Sequence, residues 1–370
     1  MRIAFYAPFK PLEHPNPSGD LVIATGLADY LTRQGHRVAA VSRLRGRWIY
    51  WKPWAWLSLI REQRRCLRHC RLGGADLWLT YHSYYKAPDL LGPWTCDRTG
   101  IPYVIFQGIY STKRKRNWRT WPGFMLNRKA LQAALHVFSN RREDVFNLKR
   151  LLPENRVTYV APGIYPGDFR FDPKARKELR QAWRVEDEPV VLTAAMFRPG
   201  VKTEGLSLVI RACGKLREQG RRFRLVVAGD GKEKGALTAL ARRHLGAGVH
   251  FVGKIPREDM ARYYSAADLF AFPGIRESLG MVYLEAQSCG LAVVAFADGG
   301  ISEVVKNGET GLLVPKYSFE SFVEAVDLLT TNQPLRQRMG AAARKYVRLN
   351  HDLDKNYRCV EIVLASVVQT

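Results

Sequence analysis

Two carboxylates eight residues apart, Glu277 and Glu285, form the pair whose spacing most suggests chemistry in this 370-residue chain. Along a helix, eight residues span about 12 Å at ~1.5 Å per residue. A diphosphate held between them would have a sugar at one end and a ribose at the other. Carboxylates suit both ends, because they accept hydrogen bonds that vicinal hydroxyls donate. A competing reading makes Glu277 a helix-end charge and Glu285 a surface residue. Glu285 lies inside an otherwise apolar segment, which weighs toward the ligand.

The elements that must position this pair are legible around it. Asp268-Leu-Phe-Ala-Phe272 is a short apolar run that reads as a buried strand. Pro273 to Gly280 is a turn carrying two glycines, and Met281 to Cys289 has helical composition and stops at Gly290. Strand, glycine turn and helix start together make an anion site. The first-turn N–H groups have no partner in the helix, and the macrodipole favours negative charge there.

The stretch from Pro273 to Glu285 resembles the Glu-x7-Glu signature of the retaining glycosyltransferases of the GT-B fold, the family 4 group. The resemblance runs over nearly the whole chain and is strongest from Val190 to Leu349. It implies an α/β architecture of two Rossmann-like domains facing a central cleft. It also implies that Glu277 approaches the donor sugar, that Glu285 binds the nucleotide ribose, and that Ser278, Leu279, Gly280 and Met281 offer backbone contacts to the diphosphate.

The same resemblance reads the loop Phe197 to Gly205 as the source of phosphate-binding cations, Arg198 and Lys202. Relatives carry a Lys directly before the glycine; Glu204 stands there in this chain, so either Lys202 reaches the same phosphate from a shifted loop or the loop is rebuilt. Cations matter at that point because charge develops on the leaving phosphate. Gly229, in the turn Gly229-Asp-Gly231, is expected at the rim, and Ile255 at the nucleotide base. Where relatives carry paired glycines in the first loop, only Gly19 stands here, followed by Asp20. The implied reaction moves a sugar from a nucleotide-sugar and needs no protein nucleophile, no cofactor and no metal. An epimerase or phosphorylase would share the fold, but no acid–base cluster or cofactor lysine signals either.

Charge and aromatic placement bear on the acceptor. The net charge is +24, and residues 1–180 carry 32 Lys and Arg against 13 Asp and Glu. A basic N-terminal half implies an anionic partner. Residues 43–71 hold nine cations against one acid, Glu62, with Trp48, Trp51, Trp54 and Trp56. Trp54 to Arg68 reads as a basic amphipathic helix of the kind that lies in a membrane interface, with packing of the tryptophans into the core as the alternative. A second basic-aromatic cluster fills 111–121. A membrane-associated glycan or glycolipid acceptor is therefore favoured over a soluble one, and a nucleic acid is not expected.

Residues 1–165 read as an N-terminal, acceptor-facing domain, 166–350 as the nucleotide-sugar domain, and 351–370 as a helix returning to the first. On the acceptor side, His82 ends a strand and is either a ligand contact or a loop histidine. Gln107 ends the next strand, where relatives often carry a histidine, and cannot shuttle protons. Lys113 and Arg142 complete that set. No apolar run reaches the ~18 residues of a membrane span, and Met1 to Ala7 reads as a strand rather than a leader. The expected location is cytoplasmic, on the inner face of the membrane. Six scattered cysteines read as reduced thiols, with Cys66 and Cys70 too loosely spaced for a convincing metal pair.

Overall fold

A computed structural model describes residues 1–14 and 19–369; the proline-rich part of the first loop, 15–18, lies outside them. By internal packing the chain divides into two compact units, Met1–Ala161 with the segment from Asp354 onward, and Pro162–Leu353.

The first unit alternates strand and helix: β1 (Arg2–Tyr6), α1 (Gly19–Arg33), β2 (Arg37–Ser42), α2 (Trp56–His69), β3 (Leu77–Ser83), α3 (Gly92–Thr99), β4 (Tyr103–Gly108), α4 (Trp121–Ala133), β5 (His136–Ser139), α5 (Arg142–Lys149) and β6 (Val157–Tyr159). The sheet order is β2-β1-β3-β4-β5-β6, with every neighbouring pair parallel. Central strands such as β4 are buried along their whole length, as expected where helices cover both faces of a parallel sheet. Helix α1 stops because Gly35 adopts φ +84°, which lets His36 N–H reach back to Leu31 C=O at 3.1 Å.

The second unit repeats the plan with α6 (Pro173–Ala182), β7 (Val190–Ala194), α7 (Val201–Glu218), β8 (Arg224–Ala228), α8 (Lys234–Leu245), β9 (Val249–Gly253), α9 (Met260–Ala266), β10 (Leu269–Ala271), α10 (Met281–Ser288), β11 (Ala292–Phe296), β12 (Gly311–Val314), α11 (Phe319–Thr331) and α12 (Gln333–Asn350). Its order is β12-β11-β10-β7-β8-β9, again all parallel. The order reverses between β7 and β10. Asp268 fixes that junction: its Oδ2 accepts Val190 N–H at 2.8 Å while its own N–H donates to Val190 C=O at 2.9 Å. Helix α13 (Leu353–Gln369) follows. Within the first unit its Glu361 accepts from Tyr30 OH at 3.1 Å, and Tyr357 meets Tyr30 and Phe106 edge-on at 5.6 Å each.

Two expectations need correction. The unit containing β7 begins at Pro162, not 166, and runs to Leu353, not 350. The reason is a clasp: Ile164 N–H donates to His351 C=O and Leu353 N–H to Ile164 C=O, both at 2.9 Å, and His351 Nδ1 lies 2.7 Å from Pro162 O. The sheet ends at β12, beyond the β11 strand (Ala292–Phe296). The stretch 197–205 is a loop only to Gly200, since α7 starts at Val201 and takes Lys202 and Glu204 into its first turn. Among the described residues no helix is long and apolar enough to cross a membrane. The six cysteines are free and five are buried.

Candidate active site

In an open parallel sheet, ligands bind outside the carboxyl ends of the strands at the point where strand order reverses. In the second unit those ends belong to β7 and β10. The β7 end leads through Arg198 into α7, and the β10 end through Glu277 into α10. Sheet order alone thus puts Lys202 and Glu277 on one crevice, and the side chains close on each other: Lys202 Nζ pairs with Glu277 Oε2. Both are about one-fifth exposed, and the ammonium also lies 5.2 Å from the centre of the Phe272 ring.

The turn between β10 and α10 is built by backbone constraint. Gly280 caps α10 at φ +67°, and no side chain among the described residues caps the helix, so its start remains open to an anion. Residues 298–300 brace the turn. Gly300 N–H donates to Glu277 C=O at 3.1 Å, and Asp298 Oδ2 accepts Arg276 N–H at 2.9 Å. Burial opposes ionisation of Asp298, yet the Arg276 amide, Lys316 and the Gly299 amide together hold its carboxyl below the ordinary range. A Cβ on Gly300 would stand 1.8 Å from Ser278 O, so only glycine allows this approach.

Glu285 is buried inside α10, which removes the surface-residue alternative. Its Oε1 accepts from Arg257 Nε at 2.9 Å and its Oε2 from Tyr264 OH at 3.2 Å. Burial raises the carboxyl's pKa; Arg257, by charge and hydrogen bond, and then Tyr264 oppose the rise. The result is a carboxylate pre-positioned by two donors, with Arg257 delivered by the segment after β9 that also carries half-buried Ile255.

The neighbouring strand ends are tied together. Gly229, at φ +142°, donates its N–H to Gly253 C=O at 2.7 Å, and a Cβ there would collide with Ala195 O at 2.0 Å. Phe197 N–H donates to Asp230 C=O at 3.0 Å. Arg198 is exposed, its carbonyl accepting from Thr203 Oγ1 at 2.7 Å. Ser278, buried Leu279, Gly280 and Met281 follow Glu277 into the helix start. Sequence reasoning missed Arg257, Tyr264 and the 298–300 brace; the paired glycines after β11 were the available signal for the brace.

In the first unit the order reverses between β1 and β3. His82 there adopts φ +62° and Gln107, ending β4, φ +64°. Such backbone in non-glycine residues is strained and concentrates at functional sites. His82 Nδ1 lies 3.3 Å from Asp20 Oδ1, and its ring stacks on Tyr84 at 4.8 Å. Burial pushes the Asp20 carboxyl up, but His82 and Lys10 hold it below its ordinary value. Gln107 is buried and its Oε1 accepts Asn140 N–H at 3.1 Å, so it braces a turn. Gly19 opens α1, and among the described residues nothing lies within 4 Å of where its Cβ would stand. Arg142 opens α5, its guanidinium 4.4 Å from the Tyr159 ring centre, and Lys113 is exposed in the turn Thr112–Arg116. These two stand on other loops than His82.

Two parallel six-stranded sheets with this topology define the GT-B fold. The chain belongs to the glycosyl transferases group 1 family, whose sequence profile matches residues 175–346. Among its relatives, the D-inositol 3-phosphate glycosyltransferase of Kribbella flavida is 31% identical over 288 residues, covering 72% of this chain and 66% of that protein. A GDP-mannose-dependent alpha-(1-6)-phosphatidylinositol monomannoside mannosyltransferase of Mycobacterium tuberculosis is 32% identical over 204 residues, 53% of this chain and 52% of that one. The matches thus span between about half and just under two thirds of these curated relatives. Of solved structures, Anabaena Alr3699/HepE in complex with UDP and glucose superimposes with TM-score 0.73 at 18% identity, covering 99% of this chain and 100% of that one. Sucrose-phosphate synthase from Thermosynechococcus elongatus gives 0.76 at 18% identity, with 99% of each chain covered.

Proposed function

We propose that this protein is a retaining glycosyltransferase that moves a sugar from a nucleotide-sugar donor to a membrane-associated acceptor, such as a lipid-linked glycan, a glycolipid or a lipopolysaccharide core. The observation that carries the donor half is the pairing of Lys202 with Glu277 at the switch point of the second sheet, beside the uncapped start of α10. The donor's diphosphate lies against that helix start, the ribose hydroxyls donate to Glu285, and Glu277 orients the sugar. As the glycosidic bond breaks, negative charge grows on the leaving phosphate, where Lys202, Arg198 and the first-turn amides stabilise it. The same phosphate accepts the acceptor's proton, so the reaction runs without a protein nucleophile, a metal or a cofactor.

Support for the acceptor half comes from the first unit. Trp54 and Trp118, one from each basic cluster, are not core residues: Trp54 is 73% and Trp118 70% exposed, and Trp51 packs edge-on against Trp118 at 5.8 Å. The clusters at 43–71 and 111–121 therefore form one surface, basic and aromatic, suited to the anionic inner face of a membrane. A second reading, a soluble phosphorylated acceptor, is favoured by the relative named for D-inositol 3-phosphate. The basic half would serve either.

Calorimetric titration with UDP, GDP, ADP and their common sugar conjugates tests the donor site. Micromolar binding of one nucleotide, lost in Glu285→Ala, is the expected result; no binding by any of them overturns the reading. Cosedimentation with phosphatidylglycerol vesicles separates the two acceptor classes, since a protein built for a soluble acceptor stays in the supernatant.

A further inference from the structure

The first unit holds an apolar cavity of about 690 Å³ among α2, α3 and α4 that the donor site does not use. Its walls include Trp56, Leu59, Leu90, Trp121, Met125 and Leu126. That volume falls within the ~300–1,000 Å³ typical of small-molecule sites. Asp89, at its floor, makes no polar demand on an occupant. Its Oδ2 accepts from Thr80 Oγ1 at 2.5 Å and Tyr103 OH at 2.9 Å, and its Oδ1 from Leu91 and Gly92 N–H at 2.8 and 2.9 Å. The cavity thus asks for hydrocarbon.

Its mouth asks for something else. Trp56 and Trp121 line the cavity yet are half-exposed, and they continue outward into exposed Trp54, Leu57 and Ile60. Lys129 lines the cavity and is itself exposed, and Arg64, the neighbour of cavity-lining Gln63 on α2, is exposed as well. An apolar hole rimmed by tryptophan and cations matches a molecule with a hydrocarbon tail and an anionic head. Aromatic rings favour the headgroup level of a bilayer, and basic side chains favour anionic lipid.

We propose that this cavity takes one acyl chain of an anionic lipid, whose charged headgroup meets Lys129 and Arg64. The inference rests on the membrane half of the function proposed above and adds to it a specific site. A lipid drawn into the protein positions its headgroup at one place on the first unit, which surface adsorption alone does not do.

The test is titration of the full chain with monomeric lauroyl-lysophosphatidylglycerol, kept below its micelle concentration. Saturable one-site binding is expected, weakened at least ten-fold by Leu126→Trp on α4 and by Leu90→Trp on the facing wall. Both variants fill the cavity without touching the surface cations, and two independent walls guard against a single misfolded protein; melting curves on each identify one that has lost its fold. Absence of binding in the wild type overturns the proposal. So does wild-type affinity in both folded variants, which would place the chain elsewhere, and so does equal binding of lauroyl-lysophosphatidylcholine, which would remove the anionic head from the argument. Nucleotide titration of the same samples reads the second unit separately, so failure of the sugar-transfer reading and failure of the lipid site give different patterns.

Discussion

Lys202, in the first turn of α7, and Glu277, in the turn after β10, hold each other where the second sheet reverses its strand order. The cation proposed for the leaving phosphate and the carboxylate proposed for the sugar are thus one unit. Each keeps the other extended toward the crevice at four-fifths burial, where electrostatic interactions exceed their surface values.

From that pairing, Lys202→Met is expected to lower turnover by about 10²–10³-fold, the usual cost of removing one stabilising charge from a developing anion. Nucleotide affinity should fall far less, because the helix start and Glu285 remain. Glu277→Gln keeps shape but loses charge, and should also act on kcat more than on KM. Steady-state kinetics on the two variants decide the matter: small and equal effects on both constants would refute the roles assigned here.

Glu285 gives the opposite signature. Replacing it with Ala removes the acceptor for Arg257 Nε and Tyr264 OH, and Tyr264 is fully buried. An unsatisfied buried hydroxyl costs about 1–3 kcal/mol, so a lower melting temperature should accompany the loss of nucleotide binding. Tyr264→Phe separates the two effects. It leaves the carboxylate and Arg257 in place, and the nucleotide dissociation constant should stay within a few-fold of wild type.

The turn that carries Ser278 depends on glycine at 300. Gly300→Ala would drive a methyl into Ser278 O, and either the 298–300 segment or the phosphate turn must move. Binding of the nucleotide diphosphate should weaken at least ten-fold. Gly235→Ala serves as the contrast: its Cβ meets nothing within 4 Å on helix α8, and the change should stabilise by roughly 0.5–1 kcal/mol without altering affinity. A Gly300→Ala protein that binds normally would show the brace to be dispensable.

Most of the second site was legible because it is local. A strand, a glycine turn and a helix within 268–289 announce themselves in one stretch, and Glu285 stood out as a charge among apolar residues. What supports that carboxylate was not legible. Arg257 and Tyr264 lie 28 and 21 residues away, and only the packing of α9 against α10 brings them in. Strand β12 escaped for a similar reason: four residues long, it is defined by its register with β11 rather than by any pattern of its own. The shift of Lys202 from loop to helix came from Gly200 at φ +98°, which ends the loop early enough for α7 to begin at Val201. In the first unit, the two basic-aromatic clusters were visible separately; their meeting through Trp51 and Trp118 was not.

His136 sets a pH dependence for the first unit. It is 7% exposed on β5, with Nε2 2.9 Å from Thr158 Oγ1. Burial first, and the Arg156 charge second, lower its pKa from 6.5 to about 4. The unfolded chain therefore binds one more proton than the folded one between those two values. Stability is unaffected above pH about 6.5 and falls by about 1.4 kcal/mol per pH unit as the pH drops through the window toward 4. Summed over the window the loss is on the order of 3 kcal/mol. His250 and His351, also shifted down by burial first, add slope of the same sign in the second unit. His136→Gln keeps a side chain able to bond Thr158 but cannot take up the proton. Urea unfolding of the two proteins should show nearly equal stability differences above pH 6.5 and a gap closing in favour of the variant as the pH falls. Parallel pH profiles would mean that His136 is not held neutral in the fold.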